Sequence, residues 1–237
     1  MDRAVTQNGK FAGITGNTLK IIALIVMTID HIGVQLYPDV IFLRIIGRLA
    51  FPIFGYMIAE GCAHTRKRSR YLLCLALTAV LCQTVYWFAM ESLYQCIFVT
   101  FSLSVILIYL LDNAVKKGGL TSRITAVSFL ALVAVMTFVL PGLEVMRGFD
   151  IDYGFFGILY PVPVYFAQGR NAKLVAAFVG LLLVAAYYSS IQWFSLLALP
   201  LIALYNGKRG NFRMKRFFYI YYPVHLVVIY YISTFVG

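Results

Sequence analysis

With 237 residues, 62% of them hydrophobic and only 12% charged, at a mean hydropathy of +0.85, the chain falls outside the soluble globular class. Soluble domains are roughly half apolar and about a quarter charged. The net charge of +11 does not point to nucleic acid, because the basic residues stand in short clusters between apolar runs, the pattern that encodes membrane topology.

Residues 1–17 are polar, contain glycine and lack a small-residue cleavage site before the first apolar run. The expectation is a cytoplasmic N-terminal segment and no signal peptide, followed by one transmembrane domain over 18–237. Apolar runs then stand at about 18–38, 40–62, 71–90, 95–112, 124–140, 152–168, 172–190, 191–205 and 217–236. A helix needs about 20 apolar residues to cross roughly 30 Å of hydrocarbon. These runs are continuous, not alternating, so they predict an all-α polytopic bundle of about nine spans and exclude a β-barrel. The eighth run is short, as a tilted, merged or partly re-entrant segment would be. Gly118, Gly119, Pro141, Gly142, Asn206 and Gly207 mark the connections. There is no internal repeat of the kind that builds many transporters. Cys62, Cys74, Cys82 and Cys96 lack metal-ligand spacing and read as small apolar residues in helices, so no metal is expected.

Orientation follows from the basic residues. With the N-terminus inside, 17 of the 20 Lys and Arg fall in inner segments: Arg3 to Lys20, Arg66 to Arg70, Lys116 to Arg123, Arg170 with Lys173, and Lys208 to Arg216. Asp39, Glu91, Glu144, Asp150 and Asp152 fall outside. This bias predicts a cytoplasmic N-terminus and an odd number of spans.

Asp30, His31, Arg44, Arg48 and His225 lie inside spans. A charge there costs about 2.5–3.5 kcal/mol at the centre and therefore faces a partner in the bundle. Folding the first two spans about Asp39 sets Asp30 level with Arg48, each about 13 Å below the turn at 1.5 Å per residue. The same hairpin puts His31 opposite Gly47, where a small residue permits close approach. Arg44 and Arg48, four apart, share a face. A structural ion pair accounts for Asp30 and Arg48; a histidine beside it is suited to proton transfer.

Lys20 and His31 are eleven residues apart, within about 20° of three full turns, so both project from one helix face about 16 Å apart. That suits an extended pantetheine arm with its phosphates at a basic lip, although an ordinary snorkelling anchor also explains Lys20. In the last span Tyr222 and His225 share a face, and Pro223 removes a backbone hydrogen bond to the carbonyl of Tyr219. Packing and function both fit that pattern. His64, in a basic turn over 64–70, reads as topology. The segment Asp150-Ile151-Asp152-Tyr153-Gly154 places two carboxylates and a tyrosine at an outer mouth, either solvated or orienting a polar substrate.

Taken together, Leu19-Lys20-Ile21-Ile22-Ala23, Asp30-His31-Ile32-Gly33, Arg44-Ile45-Ile46-Gly47-Arg48-Leu49-Ala50-Phe51-Pro52, Asp152-Tyr153-Gly154, Leu204-Tyr205-Asn206-Gly207-Lys208-Arg209-Gly210 and Phe217-Phe218-Tyr219-Ile220-Tyr221-Tyr222-Pro223-Val224-His225-Leu226 resemble the TraX family in the same order, from about residue 17 to 235. That family is in turn similar to the wider group of integral-membrane acyltransferases, which includes glycan O-acyltransferases and the heparan acetyltransferase. Members take acetyl-CoA on the cytoplasmic side and acetylate acceptors beyond it; the named one modifies the N-terminal amine of conjugative pilin. A basic residue separated by ten others from a histidine on the first span is a mark of the group, and Lys20 and His31 match it.

The resemblance implies that His31 is a general base or an acetyl-carrying nucleophile, with Asp30 and Arg48 holding the hairpin. Arg44, Arg48 or His225 would stabilise the oxyanion. Lys20, Arg66, Lys208 and Arg209 would hold the phosphates of acetyl-CoA, with Arg44 towards the donor, while Asp152, Tyr153 and Tyr222 would meet an extracytoplasmic amine or hydroxyl acceptor. The rival readings are a proton-coupled small-solute transporter, with the intramembrane Asp, His and Arg as a relay, and an assembly factor without chemistry.

Overall fold

In the computed structural model, residues 13–188, 190–210 and 215–236 are described, apart from the side chains of residues 89, 90, 215, 216 and 236. Arg3, Lys10 and Arg213, and the side chains of Lys215 and Arg216, lie outside that description.

Each of the nine apolar runs is helical. In chain order the α-helices are α1 (Gly16–Gln35), α2 (Ile41–Gly47), α3 (Ala50–His64), α4 (Arg68–Met90), α5 (Ile97–Lys117), α6 (Leu120–Ala134), α7 (Gly154–Leu159), α8 (Pro161–Phe166), α9 (Arg170–Tyr187), α10 (Ala198–Ala203) and α11 (Lys215–Val236). Seven helical stretches are long and apolar enough to cross a membrane: α1, Ile41–His64, Arg68–Phe88, α5, Leu120–Gly142, α9 and Phe217–Phe235. The chain is a multi-pass helical membrane protein.

The two remaining runs are shorter than a full crossing. The sixth, Gly154–Phe166, bends at Tyr160, just before Pro161, and covers only about 20 Å at 1.5 Å per residue. The eighth, Ser190–Ala203, opens with a 3-10 stretch over Ser190–Leu197. That tighter winding rises about 2.0 Å per residue and brings the run to about 25 Å.

The second run is not one straight helix. Pro52 has no N–H to give the carbonyl of Arg48, and its ring crowds that carbonyl. The helix therefore breaks at Arg48–Leu49, between α2 and α3. A similar cause acts in the fifth run, where Pro141 follows a π-turn over Val135–Val139.

Helix α3 is central and packs against α1, α5, α8, α9 and α10. Gly55 on α3 and Gly180 on α9 let the helices close around Tyr160, because a Cβ on either would strike its ring. Tyr160 is buried to 1% exposure, and its hydroxyl donates to the carbonyl of Pro52 at 3.0 Å. Helix α11 docks in the groove between α1 and α4.

Candidate active site

The site grows from the break in the second run. Arg48 caps the end of α2, and its side chain turns towards α1, where Nη2 donates to both carboxylate oxygens of Asp30 at 2.8 and 2.9 Å. The pairing read from the hairpin is present. Arg44 adds a second cation, with Nη1 2.9 Å from Asp30 Oδ2. Arg48 also reaches Gln192 Oε1 at 3.3 Å, which ties the eighth run to the cluster. Two guanidiniums on one carboxylate leave an excess positive charge beside His31. Gly47 faces Asp30 and not His31 as the hairpin count had it, since a Cβ at Gly47 would overlap the Asp30 side chain. Counting depth fixed the level but not the angle around the helix.

His31 follows Asp30 by one residue and so points about 100° away, towards α11. Its Nδ1 is 2.7 Å from Nε2 of His225, and Nδ1 of His225 is 3.1 Å from the carbonyl oxygen of Tyr221. The ring of Tyr222 meets His31 edge-on at 6.0 Å and His225 at 5.1 Å. A second tie joins the same helices: Thr28 Oγ1 donates to the Leu24 carbonyl at 2.8 Å and receives the Tyr221 hydroxyl at 2.8 Å.

His31 opens into a cavity of about 730 Å³, within the usual range of roughly 300–1,000 Å³ for small-ligand sites. Residues of α1 from Gly16 to Gln35 line it, so it follows that helix for about 28 Å, close to a bilayer thickness. Lys20, Arg66 and Arg209 line one end, and Asp30, His31, Arg44 and Arg48 line it further along. Lys20 Nζ sits 5.6 Å from the ring centroid of Phe218. The basic end is shaped by the 204–210 loop, which folds over the start of α1. Ile14 N–H donates to Leu204, Gly16 N–H to Lys208 and Asn17 N–H to Arg209, each to the carbonyl. At the same end the buried Glu60 carboxylate accepts from Lys173.

Asp152 stands beside Gln95, just ahead of α5: its N–H donates to the Gln95 carbonyl, and the Gln95 N–H donates to the Asp150 carbonyl. Both Asp152 and Tyr153 line the cavity. Tyr153 stacks on Phe51 at 3.8 Å, and Asp152 Oδ1 accepts the Tyr94 hydroxyl at 2.7 Å. Asp150 alone stays on the exposed loop.

Of the residues singled out from sequence, Asp30, His31, Arg44, Arg48, Lys20, Arg66, Arg209, Asp152, Tyr153 and Tyr222 share this one cavity. His225 is placed otherwise: it is 6% exposed, stands behind His31 and does not line the cavity. Lys208 also stays out of the wall and contributes its backbone carbonyl to α1. Sequence reading missed Tyr94, Gln192 and the Tyr221 carbonyl. A lone glutamine in an apolar run was a usable signal for Gln192; the other two left none.

A family model described as TraX protein matches residues 15–233. A protein of Dichelobacter nodosus named as a probable fimbrial assembly protein FimC, serogroup H1, is 27% identical over 240 residues, covering 89% of this chain and 92% of its own length. An uncharacterised Rickettsia prowazekii protein, RP591, is 61% identical over 38 residues, 16% of this chain and 15% of its own. No solved structure matches.

Proposed function

The chain belongs to the TraX family, and on that footing we propose that it is an acetyltransferase of the bacterial cytoplasmic membrane. It takes acetyl-CoA at the basic, cytoplasmic end of the cavity and acetylates an amine or hydroxyl of an exported or cell-surface acceptor. The observation that carries this reading is one cavity joining Lys20, Arg66 and Arg209 to His31 and the Asp30–Arg44–Arg48 cluster. The roughly 16 Å of helix between Lys20 and His31 suits a pantetheine arm with its phosphates on the cations. The fimbrial relative supports a surface-fibre subunit as the acceptor.

In this scheme His31 takes the proton from the acceptor nitrogen or oxygen as that atom attacks the thioester carbonyl. The cationic excess of Arg44 and Arg48 over Asp30 stabilises the oxyanion that forms. When the carbon–sulfur bond breaks, His31 returns the proton to the departing thiolate, so free CoA and the acetylated acceptor are the products. Asp152, Tyr153 and Tyr222 form the wall against which the acceptor is held.

The test is release of free CoA thiol by the detergent-purified protein given acetyl-CoA and acceptor. His31→Ala should lower that rate by about 10²–10⁴-fold while the protein stays folded; a variant keeping more than about a tenth of the rate removes the general-base role. A cavity that follows α1 through a bilayer's thickness also fits a proton-coupled transporter. Solute flux in liposomes independent of acetyl-CoA would favour that reading instead.

A further inference from the structure

We propose that His225 is a positioning residue that fixes the tautomer of His31, so that the lone pair of His31 Nε2 faces the cavity. The catalytic consequence rests on the acetyltransferase reading; the tautomer itself does not.

The argument starts from a group that can only accept. The carbonyl of Tyr221 lies 3.1 Å from Nδ1 of His225, so in the neutral ring that nitrogen carries the hydrogen. The lone pair of His225 is then on Nε2, which stands 2.7 Å from Nδ1 of His31. One hydrogen occupies that gap, and His31 Nδ1 must supply it. The remaining nitrogen of His31, Nε2, is left unprotonated. The opposite arrangement would turn the His225 Nδ1 lone pair onto the Tyr221 carbonyl in a buried setting, which costs the unmade hydrogen bond and adds repulsion.

Ring rotation is also opposed. Tyr221 lies parallel to the His225 ring at 5.3 Å, and Tyr222 meets it edge-on at 5.1 Å. Tyr221 is itself anchored to α1: Thr28 spends its only hydroxyl hydrogen on the Leu24 carbonyl, so the Tyr221 hydroxyl donates to Thr28. The chain of donors therefore runs from a backbone carbonyl on α11 to the base on α1. It does what a carboxylate does in a hydrolase triad, where the wrong tautomer of the base lowers turnover by about 10⁴-fold. After His31 accepts a proton at Nε2, the Nδ1–H bond to His225 is still made, so no reorganisation accompanies the transfer.

The experiment uses full-length protein in nanodiscs with ¹⁵N-labelled imidazoles, read by NMR, beside steady-state kinetics. Wild-type His31 should show a protonated Nδ1 and a bare Nε2. In His225→Gln the amide oxygen accepts from Nδ1–H, so this pattern should persist, with kcat within about tenfold of wild type. His225→Leu should release the tautomer and lower kcat by about 10²-fold, with KM for acetyl-CoA unchanged. A wild-type His31 protonated at Nε2, or a folded Leu variant that keeps both tautomer and kcat, overturns the proposal. If the wild-type protein transfers no acetyl group, the enzymatic reading falls, and the spectra still decide the tautomer. Should His225→Leu fail to fold, the wild-type spectrum and the Gln variant decide it.

Discussion

Asp30→Asn is the change with the sharpest energetic signature. The carboxylate holds Arg48 through two hydrogen bonds, at 2.8 and 2.9 Å, and Arg44 at 2.9 Å. The side chains of Asp30 and Arg48 are 13% and 12% exposed, that of Arg44 28%. Removing one member of a buried pair costs about 3–5 kcal/mol, because the other charge is stranded. Arg48 carries most of that loss, since water partly screens the more exposed Arg44. At about 2–4 °C per kcal/mol for a chain of this size, the midpoint should fall by roughly 6–20 °C. Arg48→Gln should cost less than Asp30→Asn, because Arg44 still neutralises the carboxylate. The double variant Asp30→Asn/Arg48→Gln should recover about 0.5–3 kcal/mol relative to the sum of the single losses. Thermal unfolding in detergent with a thiol-reactive dye reports this directly, because Cys62, Cys82 and Cys96 are free and buried and react only when the bundle opens. An Asp30→Asn midpoint within about 1 °C of wild type, or single losses that simply add, would refute the reasoning.

Two further changes probe the surroundings. Gly47→Ala places a Cβ inside the Asp30 side chain and should cost about 1–3 kcal/mol by overpacking, with CoA release falling as Arg48 is pushed from its partner; wild-type thermal behaviour would contradict this packing. Lys20→Ala should weaken acetyl-CoA by about 10- to 150-fold, the worth of a charge-assisted hydrogen bond, and leave a pantetheine-truncated donor unaffected. Competition binding checks it, and equal weakening of both donors would assign Lys20 to topology.

The sequence by itself determined the material of the fold. A charge-poor, continuously apolar chain must satisfy its backbone within helices, and the basic clusters and turn residues marked the connections between them. It also determined the level of Asp30 against Arg48, because depth in a hairpin grows linearly with residue number at 1.5 Å per step. It did not determine which faces meet. That depends on the break at Arg48 caused by Pro52 and on the crossing of α1 with α2, which is why Gly47 met Asp30 and not His31. The tertiary structure alone decided the rest. Asp152 and Tyr153 line the cavity because the segment ahead of the sixth run pairs with Gln95, just ahead of α5, a contact between distant parts of the chain. His31 and His225 are 194 residues apart in sequence and 2.7 Å apart in space. The Tyr221 carbonyl that orients them is a backbone atom every residue possesses. Such contacts are set by the docking of α11 against α1, a product of packing across the whole bundle, and no local pattern of residues records it.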